Sequence, residues 1–311
     1  MRYLGSILVW LSGAALLALG LFFLGPYGSL IVWSLCQQVI LALSYSFIGG
    51  MGGEIHLGHG AFFGLGAYSS AIFLQAGQPW WLALFMAWAS GMLMCVMTAP
   101  FLVKMRGADF AVGSFCLALF LNTLARNLQE FTGGTAGISV SMLSKEIPYV
   151  CTLVLLGVTL WTHQKLMGSG WGRSLRAVGM DPLAARHLGI NDESLRTQAL
   201  LLGSALASWA GGIYPLQSGY VSPDSALGTE VLLTPVVSVL LGGSRSTWGP
   251  VLGAATIFLA QELILTRFQG WTLLAFGLII ATTGFHVSEG LDSWLDSKIL
   301  RYFRHSRADA S

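Results

Sequence analysis

Glu54, His56 and His59 stand in one short run, Gly49-Gly50-Met51-Gly52-Gly53-Glu54-Ile55-His56-Leu57-Gly58-His59-Gly60-Ala61-Phe62-Phe63-Gly64-Leu65-Gly66-Ala67-Tyr68. A carboxylate beside two imidazoles could bind metal, activate a nucleophile or pass a proton. A metal site needs more ligands at a better spacing. A Ser–His–Asp arrangement is not visible. Proton relay remains open, because ionisable groups inside a membrane are costly and usually functional. Their place at the mouth of an apolar span predicts a solvated loop for all three. Seven glycines fall between positions 49 and 64, and Gly66 follows. So dense a run is no regular lipid-facing helix; non-helical backbone at membrane depth must be buried in protein or line water. Small residues at Gly60, Gly64 and Ala67 or Ala71 also let helices pack closely. Two readings stand: close packing, or a gate on a transport path that includes Gly58, His59, Gly60, Phe63, Gly64, Gly66 and Tyr68.

Three further segments carry patterned residues. Phe131-Thr132-Gly133-Gly134-Thr135-Ala136-Gly137-Ile138 reads as turns; Gly133 and Gly134 belong either to a surface loop or to a docking face or vestibule. The segment 167–196 holds Asp181, which can N-cap a helix with Pro182 at its first position and Gly189 at its end. A second short helix is expected at Gly172–Val178. Such a hairpin suits docking of a soluble partner better than a loop that only enforces topology. Pro235 interrupts an apolar span, as helices on transport paths often are, though bland packing explains it equally. No lysine follows a glycine, so the chain has no GxxxxGK[ST] phosphate-binding loop. Cys36, Cys95, Cys116 and Cys151 lie in apolar runs without CxxC spacing, and read as small buried side chains.

The elements that must position these residues follow from composition. The chain has 311 residues, 54% hydrophobic and only 10% charged. A soluble domain carries nearer a quarter charged, so soluble enzymes and nucleic-acid binders are excluded as overall classes. The fold expected is an all-α, polytopic transmembrane helix bundle with discontinuous or Gly-interrupted helices. At about 20 apolar residues per span, ten spans are expected: 6–24, 29–49, 60–76, 80–103, 110–125, 147–166, 197–214, 230–243, 249–266 and 271–288. With a cytoplasmic N-terminus, inside segments hold 13 of the 16 basic residues; this positive-inside bias requires an even span count with both termini inside. Trp80, Trp81, Trp248 and Trp271 fall near span ends, where tryptophan gathers. Residues 1–290 form the membrane domain, and 291–311 an amphipathic cytoplasmic tail on the inner leaflet.

Four blocks in order give a resemblance covering about residues 40–266. They are Leu57 to Tyr68, Thr132 to Ile138, Gly172-Arg173-Ser174-Leu175-Arg176-Ala177 through Ile190, and Val221-Ser222-Pro223-Asp224 through Ala254. The sequence resembles the LivM-type permease subunits of ABC importers for branched-chain amino acids. Ala184-Ala185-x-x-x-Gly189 is similar to the core of the family's ATPase-coupling motif, which assigns Arg173, Arg176, Asp181, Ala184, Ala185 and Gly189 to a coupling loop. Leu183 stands where a glutamate commonly precedes the alanines. Glu54 and His56 stand where relatives often carry Gln and Ser, and Arg245 lies in a stretch often uncharged. The resemblance implies a bacterial inner-membrane system with a periplasmic binding protein, a second LivH-like permease, and two ATPase subunits that bind ATP and magnesium. This chain itself would hold no cofactor and no metal, contacting membrane lipid and no nucleic acid. Relatives importing urea, amides or aromatic acids share the scaffold. A secondary transporter or channel is the reading from another class; it would need paired intramembrane charges, and only Glu230 and Glu262 fall within the spans. A purely structural membrane subunit leaves the glycine run unexplained.

Overall fold

The computed structural model describes residues 25–141 and 146–265. Helix α1 (Pro26–Tyr45) starts on a proline at its first turn and passes directly into a π-helical segment, Ser46–Met51. Residues 52–58 then bend into α2 (His59–Gln75). Gly77, at φ +73°, turns the chain into α3 (Trp80–Leu102), and α4 (Ala108–Asn127) follows. A short α5 (Gln129–Thr132), a 3-10 turn (Gly134–Ala136) and strand β1 (Ile138–Ser139) come next. Helices α6 (Glu146–Gly168), α7 (Gly170–Met180), α8 (Pro182–His187) and α9 (Asp192–Ser218) lead to β2 (Tyr220–Val221). The described part closes with α10 (Pro223–Leu227), α11 (Thr229–Gly242) and α12 (Trp248–Leu265).

Helices α1, α2 and α9 form the centre, with α9 lying against α2, α3, α1 and α6. The apolar windows of α1 and α9 are 78% and 72% buried, against 33%, 28% and 33% for α3, α4 and α6. The outward faces of those three carry Phe85, Phe101, Phe120, Val154 and Trp161. Such a surface is stable only against lipid or other protein. Among the described residues, six helical stretches are long and apolar enough to cross a membrane: Tyr27–Met51, Trp80–Leu102, Ala108–Asn127, Glu146–Gly168, Asp192–Ser218 and Pro223–Gly242.

Eight of the ten expected spans fall on α1, α2, α3, α4, α6, α9, α11 and α12. The expected spans 6–24 and 271–288, Trp271 and the tail 291–311 lie outside the described residues. At about 1.5 Å per residue the 17 residues of α2 rise about 25 Å, short of a bilayer core. α2 is instead enclosed by other helices. The described residues form the all-α bundle expected, with one two-residue ladder beside it: β1 and β2 pair antiparallel, Ile138 with Val221 and Ser139 with Tyr220. One expectation is corrected. The segment 167–196 is not a loop to its end, because Asn191 accepts from Ser194 N–H and starts α9 at Asp192. The helices run alternately up and down, so residues 52–58, 103–107, 169–191 and 243–247 share one end, called the basic end. The turns 128–141 and 219–228 share the other, the ladder end.

Candidate functional site

The glycines of α2 each face a different neighbour. A methyl group at Gly58 would overlap the Ser114 carbonyl of α4, one at Gly64 the Leu227 side chain of α10, and one at Gly66 the Ser208 carbonyl of α9. At Gly60 it would meet the Val231 carbonyl oxygen at 2.7 Å. Close backbone approach therefore accounts for the run, helix by helix. Phe63 offers its carbonyl to Gly211 on α9 and its ring to the edge of Tyr214, 5.7 Å away.

The solvated fate expected for Glu54, His56 and His59 is overturned. His56 and His59 are fully buried, and Glu54 is largely so. His56 sits between Phe62 and Phe110, with ring centroids 6.0 and 5.3 Å away, and beside His59 at 5.7 Å. Neither ring nitrogen of His56 has a hydrogen-bond partner among the described residues. Burial pushes its pKa down to about 3, so the ring is neutral at physiological pH. His59 Nε2 lies 2.8 Å from Ser44 Oγ on α1. A second histidine, His163 on α6, bonds Ser46 of the π-helical segment and, at 3.1 Å, Thr247. Buried polar contacts thus hold the end of α1 at Ser44 and the start of the π-helical segment at Ser46. No group of three His, Cys, Asp or Glu able to hold a metal occurs among the described residues.

Glu54 is drawn inward by Arg196, whose side chain is 1% exposed. Arg196 donates to the carbonyls of Val103 (2.6 Å) and Met105 (2.8 Å), pairs with Glu54 at 3.1 Å, and lies over the Phe110 ring. Glu54 also accepts from Gly107 N–H at 2.9 Å. One turn back on α9, Asp192 is gripped by Arg186 through Nε (2.7 Å) and Nη2 (3.1 Å), and it also pairs with Arg106. The hydrogen bond from Arg186 to Asp192 raises the arginine's pKa and keeps it charged.

The helical hairpin forms as expected, with α7 two residues longer at each end than Gly172–Val178. Asp181 accepts from Leu183 N–H (2.9 Å) and Ala184 N–H (3.0 Å), and Gly189 turns at φ +79°. Arg173 and Arg176 donate to the carbonyls of Gly168 and Met167, where a helix end offers unpaired acceptors. They cap α6 within this chain. Ala184 is exposed and Ala185 is buried, so Ala185 anchors α8 while Met180, Leu183 and Leu188, 88%, 68% and 78% exposed, project from the hairpin.

At the ladder end, Gly133, Gly134 and Gly137 all have positive φ. Tyr220 Oη donates to the Ala136 carbonyl, and Arg126 pairs with Asp224. Tyr68 reaches this end, lining an apolar cavity of about 280 Å³ with Leu65, Leu121, Phe131 and Leu227. Pro235 is buried inside α11, away from this cavity. The proposed path residues on and just before α2 therefore point to several different neighbours around an enclosed helix, while Gly133 and Gly134 lie near its far end and Pro235 stands apart. Of the cysteines, Cys36 and Cys95 are buried and Cys151 is half-buried; Cys116 is exposed, against expectation, on the outward face of α4.

Sequence reasoning passed over Arg106, Asp192, Arg196 and His163. The signal for Asp192 and Arg196 was their spacing, which puts both side chains on one helical face; Arg106 is paired from 86 positions away. For His163 it was the stripe Thr152, Thr159, His163 on an otherwise apolar helix. All three are buried.

The enclosed helices and the outward apolar faces mark a multi-pass helical membrane protein. The family described as "Branched-chain amino acid transport system / permease component" matches residues 29–283, and the chain belongs to it. It is 26% identical over 276 residues to the high-affinity branched-chain amino acid transport system permease protein LivM of Escherichia coli (strain K12), covering 77% of this chain and 64% of that protein. The corresponding LivM of Salmonella typhimurium is 25% identical over 272 residues, with the same coverage. The autoinducer 2 import system permease protein LsrC of Escherichia coli O9:H4 is 32% identical over 127 residues, 39% of this chain and 36% of LsrC. The chain thus spans less than two thirds of the length of the LivM relatives. No solved structure matches it.

Proposed function

We propose that this chain is a membrane-spanning permease subunit of an ATP-driven importer for branched-chain or other hydrophobic amino acids. It sits in the bacterial inner membrane with ten spans and both termini in the cytoplasm. Residues 1–290 form the permease domain and 291–311 a cytoplasmic tail. The basic end faces the cytoplasm, the 167–196 segment is this chain's coupling loop, and the two ATPase subunits of the system bind ATP and magnesium. A second, LivH-like permease completes the path, and a periplasmic binding protein delivers the solute. ATP hydrolysis on the partners drives alternation between outward- and inward-open states.

The observation that carries this reading is the α7–α8 hairpin. A capped six-residue helix anchored by Ala185 holds Leu183 and Leu188 away from its own core, and Met180 at the end of α7 projects beside them. Exposed apolar side chains on an ordered element suit a protein partner better than water. Family membership supports the class of solute. The partial likeness to LsrC keeps a solute of the autoinducer 2 kind as the second reading, beside urea, amides and aromatic acids.

Inside-out and right-side-out vesicles carrying the whole system, supplied with labelled leucine, test it. Uptake should require ATP, stop with vanadate and survive a protonophore. Leu183→Asp with Leu188→Asp should abolish co-purification of the ATPase while leaving the chain folded. Ala185→Asp is unsuitable, because Ala185 is buried. Uptake that stops with the protonophore and ignores vanadate would establish a secondary transporter instead.

A further inference from the structure

Five charged side chains join the α7–α8 hairpin to the foot of α2, and no residue among them reaches the proposed path directly. Arg186 on α8 holds both oxygens of Asp192, the first residue of α9. Arg106, from the 103–107 turn, shares that carboxylate, whose side chain is 5% exposed. One helical turn on, Arg196 fixes the same turn through the Val103 and Met105 carbonyls and reaches Glu54. Glu54 closes the circuit by accepting from Gly107 N–H. Two carboxylates and three guanidiniums thus tie α8, α9, the 103–107 turn and the 52–58 segment together. A buried charge cannot be left without its partner cheaply, so these elements move together or hardly at all.

A second contact runs beside the charges. Gly179, near the end of α7, lies against Gly52 and Gly53 so closely that a side-chain carbon at Gly53 would meet the Gly179 carbonyl oxygen at 2.9 Å. Within the 52–58 segment, His56 lies beside the ring of His59, which bonds Ser44 of α1.

We propose that Arg186, Asp192, Arg106, Arg196 and Glu54 are positioning residues. They form an ionic relay that carries movement of the docking hairpin into the glycine-lined entry of α2. This rests on the proposed docking of ATPase subunits at the hairpin. Arg186 is the input, because its side chain is half exposed beside the projecting face of α8. Glu54 is the output, because it belongs to the segment that opens α2.

The test uses the assembled transporter in proteoliposomes, with Cys36, Cys95, Cys116 and Cys151 replaced by alanine. A reporter, Ile55→Cys, sits on an exposed residue of the output segment. Its maleimide labelling rate is compared between nucleotide-free and vanadate-trapped states. In the otherwise unchanged transporter the two rates should differ by about tenfold, within the usual range of coupling between sites. Arg186→Gln and Glu54→Gln should each bring them within about twofold, while hydrolysis continues and uptake per ATP falls about tenfold. Arg186→Lys, which keeps the charge without the two-pronged grip, should restore part of the difference. A merely structural residue would lower stability without changing uptake per ATP. Variants that keep both the rate difference and the uptake ratio would overturn the relay, and so would full function in Arg186→Lys if the glutamine variants fail to assemble. Failure of the ATPase to co-purify with the unchanged chain would instead overturn the docking reading.

Discussion

Replacing Gly211 by alanine should loosen the contact on which the centre of the bundle is built. The added methyl would lie 2.7 Å from the Phe63 carbonyl carbon and 3.0 Å from its Cα, and would overlap the carbonyl oxygen. An ordinary contact begins near 3.4 Å, so α2 and α9 must part by about 0.7 Å at that carbon and by more at the oxygen. Both sides of the clash are backbone, so no side chain can rotate away. Overpacking of this kind costs about 1–3 kcal/mol. Alanine in place of glycine returns up to about 1 kcal/mol of helix propensity. Gly157→Ala isolates that second effect, because Gly157 is also inside a helix and nothing lies within 4 Å of its would-be methyl. Gly157→Ala should therefore be neutral or stabilising and Gly211→Ala destabilising, the two differing by about 1–3 kcal/mol. Unfolding of the purified chain in maltoside micelles, followed by tryptophan fluorescence, measures both midpoints. Equal midpoints for Gly211→Ala and Gly157→Ala would refute backbone-to-backbone packing of α2 on α9.

Burial holds the folded His56 pKa near 3, against an unfolded value of about 6.5. The unfolded chain therefore binds an extra proton in that window, and stability should fall as pH drops from 6.5 toward 3, by on the order of 2–3 kcal/mol at pH 4.5. His56→Phe should flatten the dependence of the unfolding midpoint on pH; identical slopes would contradict a buried neutral ring. In the cysteine-free background, Phe131→Cys at the ladder end should react with an impermeant maleimide from outside the cell, and Met180→Cys at the basic end should not. Equal labelling of the two would sink the proposed orientation.

Helix positions were legible in the sequence because apolar runs of bilayer length leave little choice of element. The α7–α8 hairpin was legible for a local reason: Asp181, Pro182 and Gly189 each satisfy a backbone requirement within a few residues of themselves. Glu54, His56 and His59 were misread because their fate is decided far away in sequence. Arg196 draws Glu54 inward from 142 positions further on, and Phe110 covers His56. Hydropathy scores polar side chains one at a time and cannot see a distant partner. The pairing of β1 with β2 was hidden likewise, since two residues carry too short an alternation to register. The glycine run was ambiguous for a different reason. Packing and gating ask for the same small residue, and only the neighbours of each glycine distinguish them.

The enclosure of α2 also has a consequence for how the chain is made. α2 is short for a bilayer and presents glycine where other helices present bulk, yet its main neighbour, α9, begins 117 residues after α2 ends. At about 5–20 residues per second of synthesis, α2 leaves the ribosome about 6–23 s before α9 can cover it. During that interval it must be sheltered by α1 and α3 or by the insertion machinery, and without that shelter it is open to quality-control proteolysis.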